Sequence, residues 1–89
     1  MTVSAATIAD LVDLTRLFAG YLRFYQVPRA DADIATFLRM RLERGDSQLF
    51  IARDGQGAAQ GFVQLYPFVS SLALEPAWLL SDLYVDESA

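Results

Sequence analysis

The chain has 89 residues, a net charge of −4 and 54% hydrophobic residues, so it holds one small domain with more apolar material than its length easily encloses. A domain of this size hides only about 60–65% of its unfolded surface, and part of the remainder is expected to meet another polypeptide segment. Its seven basic residues are all arginines interleaved with eleven acids, which leaves no nucleic-acid footprint, and the lack of Cys and His removes disulfides, thiolate zinc sites and imidazole acid–base chemistry.

The N-terminus lacks the basic-then-apolar pattern of a signal peptide, and no apolar run approaches the ~20 residues that cross a bilayer. A cytoplasmic protein with no membrane or nucleic-acid partner is the expectation. Met1 to Ala6 predicts a brief first strand around Val3. Thr7 with Asp10 fits a capping box, so a helix is expected to begin at about Ile8. Leu11, Leu14, Phe18, Tyr21 or Leu22, and Tyr25 then recur at steps of three and four and lay an apolar stripe along it. Gly20 weakens this helix and Pro28 ends it.

Asp31 or Asp33 caps a second predicted helix, with Ile34, Phe37, Leu38 and Leu42 inward, Arg39, Arg41, Glu43 and Arg44 mostly outward, and Gly45 as its left-handed stop. Gln48 to Arg53 reads as a strand, Asp54-Gly55-Gln56-Gly57 as a turn, and Gln60 to Phe68 as an antiparallel strand. Gly61 inside that strand implies a bulge or a close backbone neighbour. Val69 to Ala77 favours a loop, the alternative being that Ser71-Leu72-Ala73-Leu74 extends a strand on one side of a wide hairpin.

The closing stretch, Trp78 to Val85, is rich in aromatic and branched residues and predicts a final strand. Strict alternation puts Leu79, Ser81, Leu83 and Val85 on one face and Trp78, Leu80, Asp82 and Tyr84 on the other. One carboxylate, Asp82, therefore stands in an apolar row. The element order, short β, two helices, then antiparallel strands, specifies an α+β fold with helices packed on a sheet.

Approached through Gly61-Phe62-Val63-Gln64-Leu65-Tyr66-Pro67, the phrase Asp82-Leu83-Tyr84-Val85 resembles the fourth strand of the GCN5-related N-acetyltransferases, which move an acetyl group from acetyl-CoA to an amine. The resemblance implies the N-terminal half of the GNAT fold, residues 1–89 from first to fourth strand, truncated before the cofactor's pyrophosphate loop. No Arg/Gln-x-x-Gly-x-Gly/Ala stretch follows Val85, and the downstream Tyr that often protonates the leaving thiolate is absent as well. By resemblance, the backbone of Leu83, Tyr84 and Val85 holds the pantetheine arm and the thioester oxygen.

Asp82, beside that backbone and expected among Trp78, Leu80 and Tyr84, is the candidate catalytic residue. It would attract the amine and, directly or through water, take its proton, the alternative being an Asp that caps or pairs with a nearby Arg. Tyr21, Phe24 and Tyr25, with Gln26 and Arg29 following, are candidate substrate-binding residues, two of the three aromatics being expected in the core. Tyr66 and Ser70 are secondary candidates for the same cleft. No metal site is expected. The chain alone is expected to bind acetyl-CoA weakly or not at all and to be inactive, its partners being an amine substrate and either a second copy, as a homodimer, or a complementing C-terminal half. The competing reading is a non-catalytic half-domain that pairs through the open edge of its sheet.

Overall fold

In the computed structural model, which describes residues 1–89, the N-terminal residues form strand β1 (Thr2–Ala5). The capping motif closes as predicted, with the Thr7 N–H donating to Asp10 Oδ2 at 2.8 Å, but the turn that it starts, Ile8–Asp10, is 3₁₀. Helix α1 then runs Leu11–Phe24, continues through Gly20, and ends four residues before Pro28. Gln26 follows in the left-handed region at φ 61°. Tyr25 lies just past the helical turns, so it leaves the apolar stripe and is 59% exposed.

Helix α2 spans Asp31–Arg44 and is capped at Ala30, not at an aspartate. Asp31 and Asp33 instead sit in its first turn, where their charge opposes the positive helix end. Gly45 stops it at φ 64°, donating its N–H to Arg41 O at 2.9 Å. Strands β2 (Gln48–Arg53), β3 (Ala59–Ser70) and β4 (Glu75–Val85) complete an antiparallel sheet in the order β1-β2-β3-β4. The element order is the predicted one. None of the helices is long and apolar enough to cross a membrane.

The expected loop over Val69 to Ala77 is largely strand. Ser70 pairs with Glu75, Val69 with Pro76 and Phe68 with Ala77, so only Ser71 to Leu74 turn. Pro67 is tolerated because β2 pairs with β3 only as far as Leu65, leaving no ladder bond on that side for its missing N–H to forfeit.

Both helices cover one face of the sheet. Leu11, Leu14, Leu17 and Phe18 of α1 and Ile34 and Leu38 of α2 close over Leu49 and Ile51 of β2 and Phe62 of β3. The rings of Phe18 and Phe62 stack at 5.3 Å between centroids. At one end of α1, Arg53 bridges Asp10 at 2.7 Å and Asp13 at 3.0 Å. Farther along, Arg16 donates to Ala59 O and to Asp86 Oδ2, each at 2.9 Å, tying the helix to the ends of β3 and β4. The opposite face of the sheet carries Leu65, Leu80, Leu83 and Val85 without a covering layer, and the outer edge of β4 has no strand beside it.

Candidate active site

The strict alternation expected along β4 fails at one point. Gln64 pairs with Asp82 and Leu65 with Leu80, which leaves Ser81 unmatched as a bulge. An extra residue in a period-two strand flips every side chain beyond it. Asp82 and Tyr84 therefore face the helices, whereas Trp78 and Leu80 project from the uncovered face and are 55% exposed. The expected apolar neighbours of Asp82 are corrected accordingly.

What surrounds Asp82 is polar and aromatic. Tyr21 of α1 donates its hydroxyl to Asp82 Oδ1 at 2.7 Å, and Gln64 of β3 donates Nε2–H to Asp82 Oδ2 at 3.0 Å. Gln64, fully buried, accepts in turn from Ser47 Oγ at 2.8 Å on its Oε1. Burial, followed by the bond to Asp82 and its charge, pushes the Tyr21 phenol up to about 12. Burial and the same carboxylate also raise Tyr66, against an opposing pull from Arg41.

Beside this cluster opens a cleft of about 630 Å³ between the end of α1 and the end of β4. Tyr21, Phe24 and Tyr25 line one wall and Leu83, Tyr84 and Val85 the other. The six residues singled out for substrate and cofactor thus share one cavity, while Asp82 stands behind Tyr21 and is not part of its lining. The expectation that two of the three helix-end aromatics are core is reversed. Phe24 is 71% exposed, Tyr25 is exposed as well, and only Tyr21 packs inward, edge-on to Phe62 at 5.6 Å. Tyr66 lies on the helix-facing side near Asp82 but outside the cleft lining, and Ser70 is occupied by the hairpin, accepting the Ala73 N–H at 3.2 Å.

Two glycines make room for Tyr84. A Cβ at Gly20 would stand 2.6 Å from Tyr84 Oη, and one at Gly61 would stand 2.6 Å from the Tyr84 carbonyl oxygen. Gly61 also adjoins a bulge, since Ala52 pairs with it and Arg53 with Ala59, leaving Gln60 unmatched. Sequence reasoning anticipated Gly61 but missed Gly20, Gln64 and Ser47. For Gln64 a signal was available: an amide on the same strand face as Phe62.

From Leu83 to Val85, β4 is laddered only to β3, against Val63, Phe62 and Gly61. In an antiparallel strand successive residues turn their N–H and C=O to opposite sides, so part of this main chain points to the open edge with no strand to receive it. A free row of donors and acceptors beside an aromatic cleft suits an extended amide-bearing chain.

Known proteins resemble this chain in sequence and in fold. An uncharacterized N-acetyltransferase from Bacillus subtilis (strain 168), YhfO, is 34% identical over 85 residues, covering 96% of this chain and 56% of the relative. A probable acetyltransferase from Haemophilus influenzae is 38% identical over 76 residues, 85% of this chain and 52% of its own. The crystal structure of a probable acetyltransferase superposes with a TM-score of 0.94 at 38% identity, covering all of this chain and 60% of the other. Over the length that it spans, the chain is similar to acetyltransferases and has the N-terminal half of the GCN5-related N-acetyltransferase fold.

It spans about half the length of the curated relatives that it matches. No family model matches it. The α+β order of first strand, two helices and three antiparallel strands is shared with acetyltransferase folds at lower identity, including a GNAT family acetyltransferase from Staphylococcus aureus at a TM-score of 0.78 and 9% identity.

Proposed function

We propose that these residues form the acetyl- and amine-receiving part of an N-acetyltransferase domain that transfers acetyl from acetyl-CoA to a primary amine of a small molecule or peptide. The observation that carries this reading is the cleft in which the main chain of Leu83 to Val85, laddered to β3 on one side and open on the other, faces Tyr21, itself bonded to Asp82. The open edge fits the pantetheine arm and thioester end of acetyl-CoA, with backbone groups placed for an oxyanion. Asp86 and Glu87, which follow β4 and line the cleft, do not fit a pyrophosphate, because they add negative charge where the phosphates would need donors. The reading therefore assigns the phosphates to the rest of a complete domain and leaves this chain alone with weak cofactor binding and no turnover.

Within the site, Leu83, Tyr84 and Val85 hold the acyl donor by their backbone, and Phe24 and Tyr25 flank the acceptor. Asp82 is the proton's final holder. The experiment is an amide NMR titration of the 89-residue chain with S-acetylpantetheine and, separately, acetyl-CoA. Millimolar S-acetylpantetheine is expected to shift Leu83, Tyr84 and Val85, with acetyl-CoA binding no tighter. Shifts confined to other strands would overturn the placement, and micromolar acetyl-CoA binding would overturn the assignment of the phosphates elsewhere.

A second reading, a non-catalytic half-domain that self-associates or takes a complementing half, is favoured by one observation. The outer edge of β4 is unpaired, and Leu80, Leu83 and Val85 beside it are exposed. A concentration-dependent dimer in sedimentation, together with no S-acetylpantetheine shifts, would select it.

A further inference from the structure

A buried primary amide is informative because it tolerates few arrangements. Its oxygen accepts, its nitrogen donates twice, and leaving either unmatched in the interior costs about 1–3 kcal/mol. Gln64 has no exposed surface, and its two ends meet opposite demands: Ser47 Oγ donates to its oxygen at 2.8 Å, and Asp82 Oδ2 accepts from its nitrogen at 3.0 Å. Flipping the amide would set its oxygen against the carboxylate, so the Asp82 contact fixes the orientation and the serine completes it. The remaining Asp82 oxygen receives the Tyr21 hydroxyl at 2.7 Å. One chain of hydrogen bonds thus runs from the α2–β2 junction through β3 and β4 to α1, and it reaches the cleft only at Tyr21.

We propose that Ser47 and Gln64 are positioning residues that hold Asp82 against Tyr21, and that Tyr21 Oη is the atom of this network that meets the acceptor amine. The identity of the amine rests on the N-acetyltransferase reading; the positioning does not. As the amine nitrogen bonds to the acyl carbon of a bound thioester, the C–S bond breaks and sulfur leaves with its electron pair as thiolate. The nitrogen's surplus proton passes to Tyr21 Oη while the Tyr21 proton passes to Asp82 Oδ1. The phenol is regenerated and the carboxylate ends protonated. Phe62 and Tyr84 both pack edge-on to the Tyr21 ring, at 5.6 and 6.3 Å between centroids, and hold it at the cleft wall.

The test uses the 89-residue chain labelled with ¹³Cζ-tyrosine, the Tyr21 signal being assigned by its loss in Tyr21→Phe. The other titratable groups around Tyr21 are Asp82, Tyr25, Tyr66 and Tyr84. At pH 11 a phenol titrating at about 12 is roughly nine-tenths protonated, whereas one at the ordinary value of 10 is roughly nine-tenths ionised. Asp82→Asn is expected to raise the ionised fraction of Tyr21 at pH 11 at least threefold, and Gln64→Leu at least twofold, because Asp82 freed from the amide turns toward water. Ser47→Ala should move it in the same direction by less, and it carries the test if Gln64→Leu does not fold.

An unchanged or lower ionised fraction in both Gln64→Leu and Ser47→Ala would overturn the positioning role, whatever their melting temperatures. Millimolar n-butylammonium, added at pH 8, is expected to shift the Tyr21 ¹³Cζ signal of the unaltered chain. Shifts that map only elsewhere would overturn the amine's place while leaving the positioning result to stand alone.

Discussion

Tyr84 occupies the space beside Gly20 that any side chain there would need, since a Cβ built on Gly20 comes within 2.6 Å of Tyr84 Oη and 3.0 Å of its ring carbon Cζ. Helix propensity and packing thus oppose each other at one position. Alanine is favoured over glycine within a helix by about 1 kcal/mol, so an unobstructed Gly20→Ala would stabilise α1. Here the ring has to move instead, and Gly20→Ala is expected to destabilise by about 1–2 kcal/mol. In a Tyr84→Ala background the same substitution should change sign and stabilise by about 0.5–1 kcal/mol. Urea unfolding of the unaltered chain and the three variants checks this, and a loss of equal size in both backgrounds would contradict it.

At Gly61 the obstacle is main chain. A Cβ would meet the Tyr84 carbonyl oxygen at 2.6 Å and the Val85 Cα at 3.4 Å. A carbonyl held in a ladder cannot swing aside as a ring can, so Gly61→Ala should force β4 away from β3 near Val85 and cost at least about 2 kcal/mol. The expected signature is local. Amide exchange should accelerate more at Tyr84, Val85 and Asp86, whose N–H donates to Gln60 O at 2.7 Å, than in α2. Uniform acceleration across the chain would instead mean a loss of global stability alone.

The element order was readable because apolar spacing, Gly45 and the Asp54 to Gly57 turn each act locally, and the structure keeps all of them. What escaped depends on contacts across the sheet. The bulge at Ser81 arises from register with β3 and moves Trp78 and Leu80 to the other face; nothing in Trp78 to Val85 itself announces it. The early end of α1 had the same result, releasing Tyr25 from a stripe that it fits by spacing. Asp82 was noticeable as a charge in an apolar row. Its partners Tyr21 and Gln64 lie 61 and 18 positions away, a distance at which a single sequence carries no pairing signal.

Alkaline pH should destabilise the fold through Tyr21. Its phenol, held up to about 12 in the fold against an unfolded value near 10, keeps its proton in the native state after the unfolded chain has lost it. The native state then binds more protons, so stability is fully present below pH 10 and declines from pH 10 to 12. Tyr21→Phe should be less stable than the unaltered chain at pH 8, by about 1–2 kcal/mol for the Asp82 oxygen left without its donor, yet flatter in stability between pH 10 and 12. Parallel curves for the two proteins over that interval would rule out Tyr21 as the responsible group.

Acid acts through different carboxylates. Burial works to raise Asp10, but the Thr7 N–H and the Arg53 guanidinium outweigh it and hold Asp10 below its usual value. At Asp86 the Ser88 N–H and Arg16 act in the same direction. Carboxyls depressed in the fold contribute stability that is present above the unfolded value near 4 and is lost as pH falls through their folded values. Since Arg53 bridges the start of α1 to β2 and Arg16 bridges its middle to the end of β4, acid should loosen α1 from the sheet before the sheet itself separates. Arg53→Gln is expected to shift the midpoint of acid unfolding to higher pH while leaving the alkaline limb unchanged. Circular dichroism from pH 2 to 7 reads the first effect, and an unmoved acid midpoint would show that the Asp10 and Asp13 bridges contribute nothing measurable, as many exposed ion pairs do.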